Sequence, residues 1–199
     1  MSLKSGQEEA VRLATEKLKA IDFITRCQHV GLPTPTEEGI KFRAFGTNLL
    51  FRIPSFELIK TDSGNAAKLS ERLLVMRYLL LETPLKITGE RVSFKVYSEG
   101  QFYWVPFMAR TVNPLAERIG NDLELLKKHL DRFDWEEEEM GDFSAKIHLI
   151  GKLDMILVYH LGDNEFPPEA NILFDSCIKG VYLAEDAAVL AGRICIGLL

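Results

Sequence analysis

The amino-acid sequence predicts an α+β fold, with an antiparallel β-sheet built from hairpins and packed with N-terminal, central and C-terminal helices. Two observations lead to this fold class. Segments in which apolar and polar residues alternate come in neighbouring pairs separated by short turns, as in hairpins. Helical segments lie between those pairs, without the regular strand–helix–strand order of a parallel sheet.

Length and composition fit one folded domain. The chain has 199 residues, of which 47% are hydrophobic. A chain of this length buries enough surface to fold without disulfides or a structural metal. We therefore predict a single domain over residues 1–199, with a helical segment over 1–38 and a sheet-containing core over 39–199.

The N-terminal segment is predicted to form two helices. The stretch Ser5-Gly6-Gln7-Glu8 has the pattern of a capping box, and Val11, Ala14 and Leu18 then form an apolar stripe. Asp22 is expected to cap a short second helix that ends at Gly31, before a proline-rich connection.

A hairpin and a buried helix are predicted next. Residues 40–44 alternate in polarity, and a turn at 46–48 leads into a second strand over 49–53. Residues 69–82 are apolar nearly all round and end before Pro84, so they are predicted to form a central helix.

The middle of the chain is predicted to hold two aromatic strands and then two helices. Alternation over 92–97 indicates one strand, and the aromatic run 102–107 indicates its partner. The first helix is expected to open at Asn113-Pro114, and the second carries Leu123, Leu126 and Leu130 on one face.

The C-terminal part is predicted to contain three strands and a helix. Glu136 to Glu139 are four like charges in a row, which favours a solvated loop. Residues 146–150 and 153–161 read as a hairpin, and the second strand is apolar on both faces, as in the centre of a sheet. Residues 171–177 add a strand, and 185–199 a terminal helix.

Net charge and the lengths of apolar segments exclude several classes of protein. The net charge is −5 without a dense Lys/Arg stripe, so we expect no nucleic-acid partner. The longest apolar stretch is about half of what a membrane span needs, and the N-terminus lacks the apolar segment of a secretory signal. We therefore expect a cytoplasmic protein without a membrane partner; its oligomeric state is left open.

The three cysteines and the histidines do not indicate a metal site. Three widely spaced cysteines fit neither a disulfide framework nor a CxxC motif. A two-residue turn at Gly151-Lys152 would place Met155 opposite His148. His160 would then lie on the other face of the sheet from His148, because side chains alternate along a strand. His148 and His160 are therefore each interpreted as an isolated sheet residue, and His29 and His129 as surface residues of helices.

The best candidate site is the acidic loop, defined as residues 162–175. Common nucleotide-binding and hydrolase motifs are missing from the sequence, so the catalytic residues are unknown and enzymatic activity is left open. Within the loop, two prolines at 167 and 168 restrict the backbone. Its candidate ligand-binding residues are Asp163, Glu165, Glu169, Asn171 and Asp175.

Two interpretations of the acidic loop are open. A strand that begins at Glu169 would put Glu169, Asn171 and Asp175 on one face, where a hard cation or cationic ligand could bind. The acid spacing imitates a calcium loop, but Pro168 stands where an EF-hand needs glycine. Alternatively, the loop is a structural corner in which at least two of its four acids accept backbone N–H groups.

Several motifs resemble one prokaryotic family. They are Pro84-Leu85, Thr88-Gly89-Glu90, Gly162 to Ala170, Leu173-Phe174-Asp175 and Glu185 to Leu190. From about Ile40 onward the chain resembles the family catalogued as domain of unknown function 3786. The resemblance implies a link to anaerobic metabolism, since some members carry a four-cysteine iron–sulfur module similar to that of corrinoid proteins. We expect no iron–sulfur cluster here, because the three scattered cysteines of this sequence cannot supply the four thiolates of that module.

Two functions follow as expectations. The first is a non-catalytic ligand-binding or accessory module of anaerobic cofactor or one-carbon (corrinoid or iron–sulfur) metabolism, whose partner is a small molecule or a protein of that metabolism. The second is a metal-assisted enzyme that uses the acidic loop. The cofactor is unknown in both cases.

Overall fold

The computed structural model describes the backbone of residues 3–199 and the side-chain surroundings of residues 6–199. Within this range the fold is α+β, as predicted, with eight helices and two antiparallel sheets of three and five strands. None of these helices has the length and apolar character that crossing a bilayer requires.

The chain forms two compact units. The first comprises residues 1–86 together with 150–152, and the second comprises 87–149 together with 153–199. That both units form one domain, as the sequence predicts, stays a prediction.

The first unit contains three helices and the smaller sheet. Its elements are α1 (Leu3–Leu18), α2 (Phe23–Val30), β1 (Ile40–Ala44), β2 (Thr47–Phe51), β3 (Leu58–Lys60) and α3 (Leu69–Leu79). The strand order is β1-β2-β3. The sequence did not predict β3, which has only three residues.

The helices of the first unit follow local signals. The Asp22 side chain accepts the N–H of Ile24 at 3.0 Å, and Gly31 ends α2 with a left-handed φ of 74°. Val11, Ala14 and Leu18 form the buried stripe of α1, as predicted. Helix α1 begins at Leu3, and the predicted capping by Ser5 concerns a side chain outside the described residues.

Helix α3 is the buried helix that the sequence predicts. Leu73, Leu74, Val75 and Met76 are all buried, whereas Leu80 is half-buried just beyond the helix end. Tyr78 is fully buried; its hydroxyl donates to Val30 O at 2.6 Å and accepts the N–H of Lys152 at 3.0 Å. This tyrosine therefore fixes the turn over residues 150–152 within the first unit.

The second unit contains the larger sheet. Its strands are β4 (Arg91–Ser93), β5 (Trp135–Glu138), β6 (Phe143–Ile150, of which the last residue falls in the first unit), β7 (Leu153–His160) and β8 (Glu169–Asp175). Their order is β4-β8-β7-β6-β5, all antiparallel, with the predicted central strand β7 in the middle. Its helices are α4 (Trp104–Arg110), α5 (Val112–Ile119), α6 (Leu123–Leu130), α7 (Ile178–Val181) and α8 (Ala184–Gly197).

One face of the larger sheet carries the core of the second unit. Leu157, Ile172 and Phe174 are fully buried, and β7 pairs with β8 so that Leu157 lies opposite Ile172. The Tyr159 hydroxyl donates to Gly120 O at 2.7 Å, at the end of α5. Helix α5 therefore covers this face.

The strand predicted over 102–107 is wrong, because residues 104–110 form helix α4. The first predicted strand is shortened to β4, which pairs with β8. Trp104 and Phe107 lie three residues apart, and their stacked rings have centroids 5.8 Å apart. Phe107 also stacks on Phe94, with ring centroids 4.2 Å apart. These aromatic contacts suit a helix face, and they override the preference of aromatic residues for strands.

The predicted loop over Glu136 to Glu139 is also wrong, because Trp135–Glu138 form strand β5 at the edge of the sheet. Glu136 lies opposite Lys146, and their side chains form an ion pair of 2.7 Å. An edge strand keeps its charged side chains in solvent, so the run of like charges does not prevent pairing.

Candidate functional site

The acidic loop divides into an irregular loop over residues 162–168 and strand β8 (Glu169–Asp175), which begins and ends two residues before the strand that the sequence predicts over 171–177. Ala170, Ile172 and Phe174 point into the core and are buried. The alternation that the sequence predicts for this strand is therefore confirmed.

Asp163 shapes the irregular loop. Its Oδ1 accepts the N–H groups of Glu165 and Phe166, both at 2.8 Å, and its own N–H donates to Phe166 O at 2.9 Å. These backbone hydrogen bonds lower the pKa of Asp163 below its ordinary value, so the carboxylate is charged at neutral pH.

Asn121 ties the loop to the connection between α5 and α6. The Asn121 side chain donates to Gly162 O at 2.9 Å and accepts the N–H of Gly162 at 2.8 Å. A Cβ at position 162 would lie 2.6 Å from Pro168 N, so the loop closes on itself only with glycine there. The backbone at both ends of the loop is thus fixed.

An open cavity of about 460 Å³ lies against this loop. It is lined by Gly120, Asn121 and residues 162–168. Asp163 and Glu165 are the predicted site residues in this lining, and Glu165 and Phe166 are exposed. The cavity therefore combines carboxylates with an exposed aromatic ring.

Asp175 does not line the cavity and is buried, with only 2% of its surface exposed. Its carboxylate accepts the N–H groups of Thr88, Gly89 and Cys177 and the hydroxyl of Thr88. Burial raises the pKa of Asp175, but the hydrogen bonds from Cys177 and Thr88 outweigh burial and hold that pKa well below its ordinary value. Asp175 therefore joins β8 to the segment before β4.

Glu169 and Asn171 also lie outside the cavity lining. Glu169 is exposed and lies opposite His160 in the sheet. Asn171 is half-buried, and its Oδ1 accepts the N–H of Ile172 at 2.8 Å. The structure thus brings together two of the five predicted site residues, Asp163 and Glu165, and separates the other three from them.

As predicted, two of the four acids, Asp163 and Asp175, accept backbone N–H groups, but they do not fix one common corner. Asp163 shapes the loop, whereas Asp175 binds the segment before β4. The sequence missed Asn121, Thr88 and Gly89 as their structural partners. Asn121 lies 41 residues from Gly162 and Thr88 lies 87 residues from Asp175. No local pattern signals pairs so far apart.

The histidine prediction requires a correction. His148 Nδ1 lies 3.4 Å from Asp154 Oδ1, so Asp154 rather than Met155 lies beside His148. Asp154 and His160 share a face because they are six residues apart on one strand, and His148 is therefore on the same face as His160. A one-residue difference in the expected register moves a side chain to the other face.

The three cysteines are free thiols. Burial raises the pKa of Cys27 to about 11 and that of Cys195 to about 12. Burial and the hydrogen bond to Asp175 raise the pKa of Cys177 to about 12. All three are protonated at neutral pH, and a protonated thiol is a poor nucleophile.

Within residues 6–199, no group of three or more His, Cys, Asp or Glu side chains is arranged to hold a metal ion. Asp163 and Glu165 line the cavity, Asp175 is buried at the end of β8, and Glu169 is exposed at its start. Carboxylates spread over three such environments do not form a common coordination shell.

Comparison with known proteins gives one family. The model of the family described as a domain of unknown function (DUF3786) matches residues 22–196. The match begins earlier in the chain than the resemblance seen in the sequence motifs, and it includes α2. No curated protein and no solved structure matches the chain.

Proposed function

This chain belongs to the DUF3786 family, and we propose that it is a non-catalytic binding module whose ligand meets the loop over residues 162–168. The supporting observation is that some residues hold the backbone of this loop while others are exposed to a ligand. Asn121 and Asp163 fix its backbone, while Glu165 and Phe166 remain exposed beside the open cavity. A surface that is fixed before binding loses little conformational entropy when a ligand arrives.

The chemistry of the cavity favours a ligand with a cationic or electron-poor planar group. Asp163 stays charged at neutral pH, Glu165 is a second carboxylate in the lining, and the Phe166 ring is 66% exposed. A cation over an aromatic face beside a carboxylate is stabilised by both groups.

The resemblance to relatives with an iron–sulfur module supports a role in anaerobic cofactor or one-carbon metabolism. We accordingly propose a cytoplasmic accessory protein that binds a small molecule or a protein of that metabolism. A metal-assisted enzyme is the less favoured alternative, because carboxylate oxygens of Asp163 and Asp175 already accept hydrogen bonds from backbone N–H groups.

A thermal-shift screen tests the binding proposal. Corrinoids, pterins, nucleotides and divalent metals are added separately to the purified protein, and a ligand at 100 times its Kd adds about 2.7 kcal/mol of stability. We expect one class to raise the unfolding temperature, and we expect that rise to be lost in the double variant Glu165→Gln/Phe166→Ala.

The matched control is Glu117→Gln, which removes an exposed carboxylate of α5 outside the cavity lining. It should keep the full shift. If no class stabilises the protein, or if the double variant responds as the unaltered protein does, the proposal that this loop binds the ligand is wrong.

A further inference from the structure

Strand β5 forms an open edge of the larger sheet. It pairs with β6, and no other strand in the described part of the chain lies on its far side. The His148 N–H donates to Asp134 O at 2.8 Å, which makes this residue pair a hydrogen-bonded one. Because such pairs alternate along an antiparallel ladder, Trp135 and Glu137 direct their N–H and C=O groups away from β6.

The charge on this edge is unbalanced. Glu136 to Glu139 supply four carboxylates. Among the described residues, Lys146 lies 2.7 Å from Glu136 and Lys127 lies 3.9 Å from Glu137. The β5 edge of a second copy would bring like charges together, which costs energy in a cross-strand position. A basic strand would be attracted instead.

The two faces of β5 differ. Glu136 and Glu138 share one face, and Trp135 and Glu137 share the other. The Trp135 ring packs edge-on against Phe143 at 5.9 Å and is half-buried. A strand added here would meet carboxylates on one face and an indole ring on the other.

We propose that β5 binds an extended, lysine- or arginine-rich segment of a partner protein by strand addition. The main-chain groups of Trp135 and Glu137 provide the hydrogen bonds, as in other complexes in which a peptide extends a sheet. Alternating basic side chains of the partner meet Glu136 and Glu138, and the intervening apolar side chains lie towards Trp135. This proposal is independent of the loop over residues 162–168.

The test uses a fluorescent peptide of alternating lysine and valine and measures its binding to the full chain by anisotropy. We expect saturable binding that weakens as salt rises, because exposed charges are screened. A peptide with the same composition in two blocks should bind at least about tenfold more weakly. The alternating peptide with N-methyl groups on the amides that face β5 should not bind, because it cannot donate to the edge.

A pair of variants separates the backbone contribution from that of charge. Glu137→Pro removes an N–H that points away from β6, which an edge strand tolerates, and should abolish binding. Glu137→Gln removes the charge alone and should weaken binding by no more than about tenfold. Thermal unfolding of both variants verifies that they are folded, and the N-methylated peptide tests the same hydrogen bonds in the unaltered protein.

The alternative role of the glutamates is protection of the edge against aggregation. In that case the alternating peptide does not bind, or the block and N-methylated peptides bind equally well through charge alone. Either result would overturn the proposal. Loss of peptide binding in Glu165→Gln/Phe166→Ala would also overturn it, because it would place the peptide on the loop.

Discussion

The carboxylate of Asp175 accepts the backbone N–H of Gly89 at 2.7 Å, across 86 residues of the chain. Both residues lie in motifs that resemble the family, and the structure shows that these motifs meet. Thr88 and Cys177 complete the set of donors around the same buried carboxylate. The two motifs are thus joined by one buried acid, whose oxygen atoms already accept hydrogen bonds from the protein.

Replacing this acid should destabilise the fold. In Asp175→Ala the N–H groups of Thr88 and Gly89 lose a charged acceptor, and we expect a loss of about 3 kcal/mol in the free energy of unfolding. Urea denaturation followed by circular dichroism measures it. Glu139→Ala, at an exposed carboxylate, is the control and should change stability by less than about 0.5 kcal/mol. A change below about 0.5 kcal/mol in Asp175→Ala would show that these hydrogen bonds contribute little to the free energy of unfolding.

The stabilisation by Asp175 should depend on pH. The folded-state pKa lies below the ordinary value of 3.8, so the contribution is complete above that value and is lost as pH falls towards the folded pKa. The stability difference between the unaltered protein and Asp175→Asn should therefore shrink between about pH 5 and pH 2. Urea titrations at several pH values measure this, and a difference that stays constant or grows on acidification would contradict the assignment.

Gly151 should be intolerant of a side chain. It has a left-handed φ of 56°, and an added Cβ would lie 2.4 Å from Val30 O and 2.5 Å from the Tyr78 hydroxyl. Gly64 has a similar φ of 70° but open space around it, so Gly64→Ala measures the backbone strain alone. We expect Gly64→Ala to cost about 1 kcal/mol and Gly151→Ala clearly more, by urea denaturation. Equal losses would show that the turn moves freely away from Val30.

Elements with local signals could be predicted from the sequence. Helix α2 begins after the capping aspartate and ends at the left-handed glycine, at the two boundaries that the sequence predicts. In each case the residues that set the boundary are adjacent to it in the chain. Local chemistry is then sufficient, and the predicted and observed elements agree.

Elements that depend on distant contacts could not be predicted in the same way. The aromatic residues at 102–107 have the composition of a strand, but Phe94 and Trp104 pack around Phe107 in a helical arrangement. From the sequence alone, the glutamates of β5 predict a loop. Their place in a strand depends on pairing with β6, in which Lys146 lies opposite Glu136. In the candidate site, the role of Asn121 depends on a contact with Gly162 that only the folded chain creates.

The core position of β7 leads to a further prediction. Leu157 is fully buried in the middle of the five-stranded sheet, so Leu157→Ala should cost about 2–5 kcal/mol. Leu161, just after the same strand, is 40% exposed, and Leu161→Ala is the matched control with an expected loss below about 1 kcal/mol. Denaturant unfolding of both variants decides the matter. A loss below about 1 kcal/mol for Leu157→Ala would show that the strand is peripheral to stability.

The last prediction concerns the rigidity of the loop over residues 162–168. If Asn121 holds the loop through Gly162, then Asn121→Ala should loosen it while the rest of the second unit stays folded, because the contact is exposed and outside the core. The amides of Glu165 and Phe166, which donate to Asp163, should then exchange with deuterium at least about tenfold faster, whereas amides of β7 should be unaffected. Asn164→Ala, at an exposed position of the same loop, is the control and should leave exchange unchanged. Hydrogen–deuterium exchange read by mass spectrometry resolves the loop peptide from its neighbours. If exchange in Asn121→Ala equals that of the control, Asp163 and the two prolines are sufficient to hold the loop, and Asn121 has no part in preparing the proposed binding surface.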